Sequence, residues 1–217
     1  MLVKARMSKP VITIFPETPV QEAMALMRKE NIRRLPVVDH HGKLVGIVSE
    51  KELLNASPSE ATSLSVWEIS YLLSKLTVDK VMSKKLVTVT EDTPLEEAAR
   101  IMADNKVGGL PVVRDGGVVG IITETDLFKI FLEMLGARHA GIRISVLIKN
   151  VPGTLSELTR AIYQAGGNIV ALGTFLGESS ENSINTFKIE GVSIQALRQA
   201  IEPLVEEIID IRETRLT

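Results

Sequence analysis

The apolar positions of residues 1–136 fall into two similar patterns. Each pattern starts with a short β-branched run, at 11–14 and again at 86–89, which predicts a strand. Apolar residues then recur at helical spacing over 20–27 and 95–102, so one face of each predicted helix is apolar. Two apolar runs around a turn follow and predict a β-hairpin, and a second helical stripe ends the unit. Each pattern therefore predicts the element order βαββα.

The two patterns are copies of one sequence. When they are aligned, Leu-Pro-Val-Val at 35–38 matches the same four residues at 110–113, and many flanking positions match as well. The predicted hairpin turns lie at 40–42 and 115–117. A unit of about 55 residues buries too little surface to be stable alone. We therefore expect the copies to pack together, sheet against sheet.

The same Thr-Pro dipeptide precedes the first helix of each copy, at 18–19 and at 93–94. Threonine is expected to be the N-cap and proline the first helical residue, with Gln21 or Glu96 closing a capping box. Between the copies, the connector is predicted to carry a helix that begins with a capping box at 65–68 and contains the single tryptophan, Trp67.

The last third of the chain has a different pattern. Apolar residues alternate over 142–148, which predicts a strand, and a helical stripe covers 155–165. Two strands within 169–189, a helix over 194–201 and a strand around 208–211 complete the order βαββαβ, which is typical of the ferredoxin-like arrangement. The fold class is α+β. The expected boundaries are 1–55 for repeat one, 56–77 for the connector, 78–136 for repeat two, 137–141 for a linker and 142–217 for the last domain.

Composition excludes several classes of function. The chain has 217 residues, no cysteine and a net charge of −2, from 25 basic and 27 acidic side chains. Disulfides and thiolate metal sites are excluded, and the charge balance argues against nucleic acid as a partner. No apolar run approaches the ~18 residues that a membrane-spanning helix needs. The N-terminus does not resemble a signal peptide, so we expect a cytoplasmic location and no membrane contact. The three histidines, His40, His41 and His139, have no metal-site spacing.

The repeat resembles the CBS domain. The marks are the Leu-Pro-Val-Val segments and a Gly-apolar-apolar-Ser/Thr-x-x-acid segment at 46–52 and 120–126. The resemblance implies a tandem CBS pair, or Bateman module, that binds an adenosine-containing ligand in the cleft between the copies. It implies a non-enzymatic regulatory sensor with no catalytic residues and no catalytic cofactor. AMP, ADP, ATP, S-adenosylmethionine and NAD share the adenosine group, and the sequence does not distinguish them.

The second copy carries the expected ribose site. Thr123 and Asp126 are three positions apart at a strand-to-helix junction, so both side chains can face one cleft. A carboxylate accepts hydrogen bonds from both ribose hydroxyls, and a helix start with a threonine suits phosphate or ribose oxygens. The alternative is that Thr123 only caps the helix. The residues expected to enclose and contact the adenine belong to the same copy: Val87, Thr88, Leu110 and Pro111.

The first copy departs from this pattern. Ser49 is retained, but Glu52 replaces the aspartate, and its extra methylene is expected to misplace the carboxylate. Arg33 and Arg34 stand where the second copy has two glycines. We expect these arginines, together with Lys84, to contact phosphates. The alternative is a solvated pair at the entry to a strand.

The last third resembles an ACT domain, through Asn-x-Pro-Gly-x-Leu at 150–155 and Gly-Gly-Asn-Ile at 166–169. The resemblance implies an amino-acid site with Asn150, Gly153 and Asn168, usually across a dimer interface, although Ile148 replaces a frequent histidine. Both asparagines have an alternative role as turn residues, and a dimerising domain without a ligand is equally open. The order CBS–CBS–ACT resembles the acetoin-utilisation family of CBS–ACT proteins.

These resemblances predict a homodimer that signals ligand binding to an unidentified effector protein. The alternative from another class is a regulatory subunit, or an enzyme with an unrecognised catalytic site. A polar cluster in a pocket outside the nucleotide cleft would favour that alternative.

Overall fold

Each copy of the repeat folds into a helix, a β-hairpin and a second helix in the computed structural model, which describes residues 1–56 and 75–215. The first copy contains α1 (Val20–Lys29), β1 (Arg34–Val38), β2 (Leu44–Ser49) and α2 (Glu50–Asn55). The second copy contains α3 (Leu95–Asn105), β3 (Gly109–Arg114), β4 (Gly117–Thr123) and α4 (Glu124–Met134). The predicted connector helix with Trp67 lies outside the described residues.

Both hairpins form where the sequence predicts them. Strands β1 and β2 pair antiparallel, as do β3 and β4, and each pair has one irregularity in register near the turn. In the second turn, Asp115 and Gly116 have φ angles of 51° and 83°, which a two-residue hairpin turn of type I′ requires. In the first turn, a carboxylate oxygen of Asp39 accepts the backbone N–H groups of His41 and Lys43, each at 2.9 Å.

The predicted first strand of each copy is instead a crossing segment, which we define as residues 8–14 in copy one and 83–89 in copy two. At one end, Ser8 pairs with Ile121 of copy two, with N···O distances of 2.8 and 3.2 Å. At the other end, Ile14 pairs in parallel with Val37 of its own copy. The segment therefore spans from one hairpin to the other and contributes single bridges in place of a continuous strand.

The second crossing segment repeats this geometry in reverse. Ser83 pairs with Ile47 on β2 of copy one, at 2.9 and 3.1 Å, and Val89 pairs with Val112 on β3. Val78, just before this segment, is fully buried in the core of copy one. The two copies therefore exchange their N-terminal segments, and each copy is completed by the other.

The exchange also corrects the predicted helix starts. Helix α1 begins at Val20 with Pro19 as its N-cap, and the Thr18 hydroxyl accepts the backbone N–H of Phe15 at 3.2 Å and makes no cap bond. The backbone N–H of Val20 donates to the carbonyl of Leu76 at 2.9 Å. The equivalent N–H of Leu95 donates to the carbonyl of Met1 at 3.0 Å, and α3 likewise has no side-chain cap. Backbone carbonyls from the end of the connector and from the first residue of the chain thus replace the capping boxes.

Two glycines make room for the crossing segments. A Cβ on Gly120 of β4 would lie 2.6 Å from Sδ of Met7 and 3.2 Å from the carbonyl oxygen of Ser8. A Cβ on Gly46 of β2 would overlap Sδ of Met82, the residue that corresponds to Met7 in the second copy. The glycine of the Gly-apolar-apolar-Ser/Thr segment is therefore required by close packing between the copies.

The C-terminal part folds in the predicted order βαββαβ. Its elements are β5 (Gly141–Lys149), α5 (Thr154–Gln164), β6 (Asn168–Leu176), β7 (Asn182–Glu190), α6 (Ile194–Ile201) and β8 (Glu207–Thr214). All neighbouring strands pair antiparallel in the order β6-β7-β5-β8. The alternating residues of β5 pack with both helices around the buried core of Leu158, Ile162, Phe187, Leu197 and Ile201.

The chain divides into two compact units, Met1–Leu127 and Phe128–Thr217, so the boundary lies within α4, ahead of the predicted linker at 137–141. The reason is that Gly136, which follows α4, packs on β6 and β7 of the C-terminal sheet. The approach is close, since a Cβ on Gly136 would lie 3.1 Å from Cβ of Ala171 and 3.2 Å from Cβ of Lys188. The Lys188 side chain is buried, and this burial lowers its pKa.

We predict that Gly120→Ala destabilises the first unit by about 1–3 kcal/mol, the usual cost of overpacking a close contact. The matched control is Gly117→Ala on the same strand, where a Cβ would meet only the carbonyl oxygen of Arg114, at 3.6 Å. The measurement is the free energy of unfolding from urea titration of both variants. Equal stability of the two variants would show that Met7 does not pack against Gly120 as described.

Candidate functional site

Two clefts lie between the copies, and each is bordered by one crossing segment. Cleft one has a volume of about 340 Å³. Copy one supplies most of its wall, from the crossing segment and from the residues that lead into β1, while copy two supplies the end of β4 and the start of α4. Its lining residues are Ser8, Pro10, Val11, Ile12, Asn31, Ile32, Arg33, Arg34, Ile121, Thr123 and Thr125.

Cleft two is related to cleft one by the repeat and is smaller, at about 230 Å³. Its lining residues are Arg34, Ile47, Ser49, Glu52, Ser83, Lys85, Val87, Lys106, Val107, Gly108 and Gly109. Ligand pockets usually occupy roughly 300–1,000 Å³. Cleft one falls within that range and cleft two below it, so cleft one is the better candidate for a small-molecule site.

Thr123 lines cleft one and is hydrogen-bonded to Asp126, which is not among the residues that line the cleft. The backbone N–H and the hydroxyl of Thr123 both donate to Oδ2 of Asp126, at 2.9 and 2.8 Å. No described residue forms a hydrogen bond with Oδ1. The Thr123 hydroxyl thus donates to the carboxylate, and the bonds leave one carboxylate oxygen free to accept another hydrogen bond.

Ser49 and Glu52 make the same pair of contacts in cleft two. The backbone N–H and hydroxyl of Ser49 donate to Oε2 of Glu52, both at 2.7 Å, and the backbone N–H of Glu52 returns a bond of 3.3 Å to the Ser49 hydroxyl. The extra methylene of Glu52 therefore does not prevent the carboxylate from reaching the capping donors.

Arg34 lines both clefts. Its side chain is 26% exposed and its Nη2 lies 3.8 Å from Oε2 of Glu124, the first residue of α4. A Cβ on Gly108 would overlap the Arg34 guanidinium, and a Cβ on Gly109 would lie 3.0 Å from its Cδ. The glycine pair of copy two thus accommodates the arginine of copy one. Arg33, in contrast, is exposed and lines cleft one alone.

The structure separates residues that the sequence pattern grouped into one site. Val87 borders cleft two beside Ser49 and Glu52, and it does not line cleft one with Thr123. Leu110 is 0% exposed and Pro111 is buried, and neither is among the residues that line the two clefts. The reason is the exchange of crossing segments, which brings the first segment of each copy next to the helix start of the other copy.

The remaining predicted residues also fall outside cleft one. Thr88 is partly buried beside Val87, in the second crossing segment. Lys84 is exposed and lies near the Asp79 carboxylate. The pKa of Asp79 is lowered first by the hydrogen bond from Thr77, then by Lys80, and to a smaller extent by the charge of Lys84. In cleft two it is Lys85, the next residue, that contributes to the lining.

The sequence did not indicate the part of cleft one that lies on the first crossing segment. The missed residues are Ser8, Pro10, Val11 and Ile12, together with Asn31, Ile32 and Thr125. A signal was present in the repeat, because alignment of the two copies places Ile12 at the position of Val87. Choosing between Ile12 and Val87 requires knowing which copy completes which cleft, and the repeat alone does not determine this.

The predicted amino-acid site of the C-terminal unit is not assembled within one chain. Asn168 pairs with Glu190 at one end of the sheet, and Asn150 follows the Lys149–Asn182 pair at the other end. At about 3.3 Å per residue, the intervening eight positions of β7 separate the two asparagines by roughly 25 Å. The side-chain amide of Asn150 donates to the carbonyl of Ser180 at 3.1 Å. Gly153 has a φ of 99° and precedes α5.

Within 1–56 and 75–215, no three His, Cys, Asp or Glu side chains are grouped in a way that suits a metal ion. Over the same ranges, none of the helices has the length and apolar character needed to cross a bilayer. His40 stacks on Phe15, with ring centroids 4.9 Å apart.

Comparison with known proteins assigns the family. The family model of the CBS domain matches residues 3–59 and 78–133, which are more than half of the chain. The chain therefore belongs to the CBS domain family, and it contains a tandem CBS pair. Both matched ranges fall on the two copies of the repeat, and the C-terminal βαββαβ region lies beyond them.

Several known proteins resemble the chain. L-aspartate semialdehyde sulfurtransferase from Methanocaldococcus jannaschii is 36% identical over 133 residues, which are 60% of this chain and 23% of that protein. The solved CBS pair of protein MJ0100, in complex with 5′-methylthioadenosine and S-adenosyl-L-methionine, is 34% identical, with a TM-score of 0.52 over 64% of this chain and 98% of that one. A Vibrio cholerae protein assigned to acetoin utilization (AcuB) is 32% identical, with a TM-score of 0.52 over 64% of this chain and 95% of that one.

We predict that Thr123→Ala lowers the free energy of unfolding by about 1 kcal/mol, since it removes a hydroxyl that bonds to the helix-capping carboxylate. Thr123→Ser keeps that hydroxyl and should retain most of the stability. Thr125→Ala is the matched control in the same cleft, because its side chain is exposed. Urea denaturation measures all three, and a Thr125→Ala loss as large as that of Thr123→Ala would contradict the capping role.

Proposed function

We propose that this chain is a regulatory ligand sensor that binds an adenosine-containing ligand with an anionic tail in cleft one. One observation carries the proposal: Thr123 lines the same cleft as an apolar wall and two arginines, and its backbone N–H and hydroxyl are bonded to Asp126, which lies just behind that lining. The two adenosine compounds held by the CBS pair of MJ0100 support it.

Each part of an adenosine ligand has a matching group in cleft one. Oδ1 of Asp126 would accept hydrogen bonds from the ribose hydroxyls, and the Thr123 hydroxyl oxygen retains acceptor capacity. Ile12 and Ile32 would enclose the flat adenine. Arg33 and Arg34 would bind a phosphate or carboxylate on the tail, which favours AMP, ADP, ATP or S-adenosylmethionine over a ligand without an anionic group. Cleft two, with Ser49 and Glu52, is the second candidate site.

The signal would be a change in how the two CBS copies are arranged. A ligand shifts such an equilibrium only when it binds one arrangement more tightly than the other. Cleft one is built from both copies, so a ligand that contacts both walls has this differential affinity. An effector protein, which the sequence does not name, would read the change, and we place the sensor in the cytoplasm.

For the C-terminal unit we propose an ACT-type domain that joins two copies of the chain. The βαββαβ order and the Asn150–Leu155 segment support this assignment. Since Asn150 and Asn168 lie at opposite ends of one sheet, a shared amino-acid site needs one asparagine from each of two chains. Light scattering of the full chain should give twice the monomer mass, and a monomer at all concentrations would exclude such a site.

The alternative is that the CBS pair regulates or forms part of an enzyme. The sulfurtransferase relative favours this alternative, although the chain spans 23% of its length. In that case a substrate, and not a free nucleotide, would raise the melting temperature of the chain.

We predict that Asp126→Ala abolishes binding of the adenosine ligand at cleft one, because it removes the ribose acceptor. Glu52→Ala is the matched control, since Glu52 caps α2 in the same way but faces cleft two. Isothermal titration with AMP and with S-adenosylmethionine measures both variants. We expect the tighter binding event to be lost in Asp126→Ala and retained in Glu52→Ala.

Two results would contradict the proposal. Unchanged affinity in Asp126→Ala would remove cleft one as the site. Failure of every adenosine compound to bind the wild-type chain would remove the sensor function itself.

A further inference from the structure

The side chain of Arg34 lies between the two clefts, so a ligand in either cleft could contact its guanidinium. It is the residue common to the linings of cleft one and cleft two. Its side chain crosses the Gly108-Gly109 backbone, where a Cβ on Gly108 would overlap the guanidinium and a Cβ on Gly109 would lie 3.0 Å from Cδ. Its charged partner among the described residues is Glu124, at 3.8 Å, a separation long enough for a stronger anion to replace that carboxylate.

The repeat does not supply a second such arginine. Alignment of the two copies places Gly109 at the position of Arg34 and Gly108 at the position of Arg33. Each of the other basic residues in the linings borders only one of the two clefts: Arg33 lines cleft one, and Lys85 and Lys106 line cleft two. Among the described residues, Arg34 is therefore the one arginine that lines both clefts.

We propose that Arg34 is a single anion-binding group shared by the two clefts, so that an anionic ligand in one cleft weakens binding of a second anionic ligand in the other. The inference rests on the proposed function and adds its regulation. A guanidinium carries a single positive charge, so once one phosphate holds it by two parallel hydrogen bonds, a second anion meets a charge that is already largely compensated. The first ligand replaces Glu124 as the ion-pair partner of Arg34. The second ligand then binds while the guanidinium is already paired with the first.

The proposal separates charged from uncharged ligands. AMP carries a phosphate that engages Arg34, whereas adenosine carries the same base and ribose without the charge. Coupling between the clefts through Arg34 should therefore appear with AMP and be absent with adenosine. An effect that came from a general change in shape would appear with both.

The test is isothermal titration of the full chain with AMP and with adenosine, for the wild type, Arg34→Met and the control Arg28→Met. Arg34→Met keeps an unbranched apolar stem and removes the charge, and Arg28 is an exposed residue of α1 outside both linings. We expect Arg34→Met to weaken the first AMP step by about tenfold or more, the loss of a charge-assisted hydrogen bond, and to leave the second step unchanged. Arg28→Met should change neither AMP step, and adenosine binding should be the same in all three proteins.

Two further variants keep the test independent of any folding defect in Arg34→Met. Arg34→Lys keeps the positive charge but removes the two-donor fork, and it should weaken the first AMP step in the same direction. Glu124→Gln removes the competing carboxylate and should tighten that step, and this gain should vanish when Arg34→Met is also present. Melting temperatures confirm that each variant is folded.

The outcomes distinguish this inference from the proposed function. Equal weakening of both AMP steps by Arg34→Met, no weakening of either, or a single AMP per chain in every variant overturns the sharing of Arg34 and leaves nucleotide binding intact. Absence of AMP binding to the wild type overturns this inference, and absence of binding by every adenosine compound, S-adenosylmethionine included, overturns the proposed function as well.

Discussion

The reciprocal exchange of crossing segments is the constraint on which the rest of the CBS pair depends. Each βαββα copy has a two-stranded hairpin and two helices, which bury too little surface to fold alone. Ser8 pairs with β4 of the other copy, and Ser83 pairs with β2 in return. Val78 then completes the core of copy one, and the backbone carbonyls of Leu76, in the connector, and Met1, in copy one, accept the first N–H groups of α1 and α3. Neither copy is complete without its partner.

The same exchange creates the site. A segment that leaves one hairpin and joins the other must pass over the space between them, and this passage forms one wall of each cleft. The opposite wall is the start of a helix from the other copy, where a Ser or Thr and a carboxylate are hydrogen-bonded to each other. These carboxylates have a structural role before any ligand arrives. For Asp126, the two bonds use one oxygen, so stabilising α4 and accepting a ribose hydroxyl are compatible.

The sequence predicted the elements well where periodicity determines them. The apolar stripes over 20–27 and 95–102, the alternation over 142–148 and the turn at Asp115 and Gly116 all lie in the expected structures. These features depend on local backbone geometry and on one apolar face, and both can be read from neighbouring residues. The order of the C-terminal elements followed for the same reason.

The predictions that failed depend on contacts between the copies. Thr18 was expected to cap α1, but the carbonyl of Leu76, which is distant in sequence, accepts the first N–H of the helix. Val87 was grouped with Thr123 because both belong to copy two, whereas Ile12 of copy one occupies that cleft. The role of Gly108 became visible only once Arg34 was seen to lie across it. No local pattern encodes which copy completes which cleft.

A nucleotide site built by the exchange can be tested by following amide chemical shifts along the chain during a titration with AMP. The largest changes should fall on both walls of cleft one together, at residues 10–12 and 31–34 of copy one and 121–126 of copy two. Changes confined to one copy, or found only in the C-terminal unit, would contradict a site that the two copies form jointly.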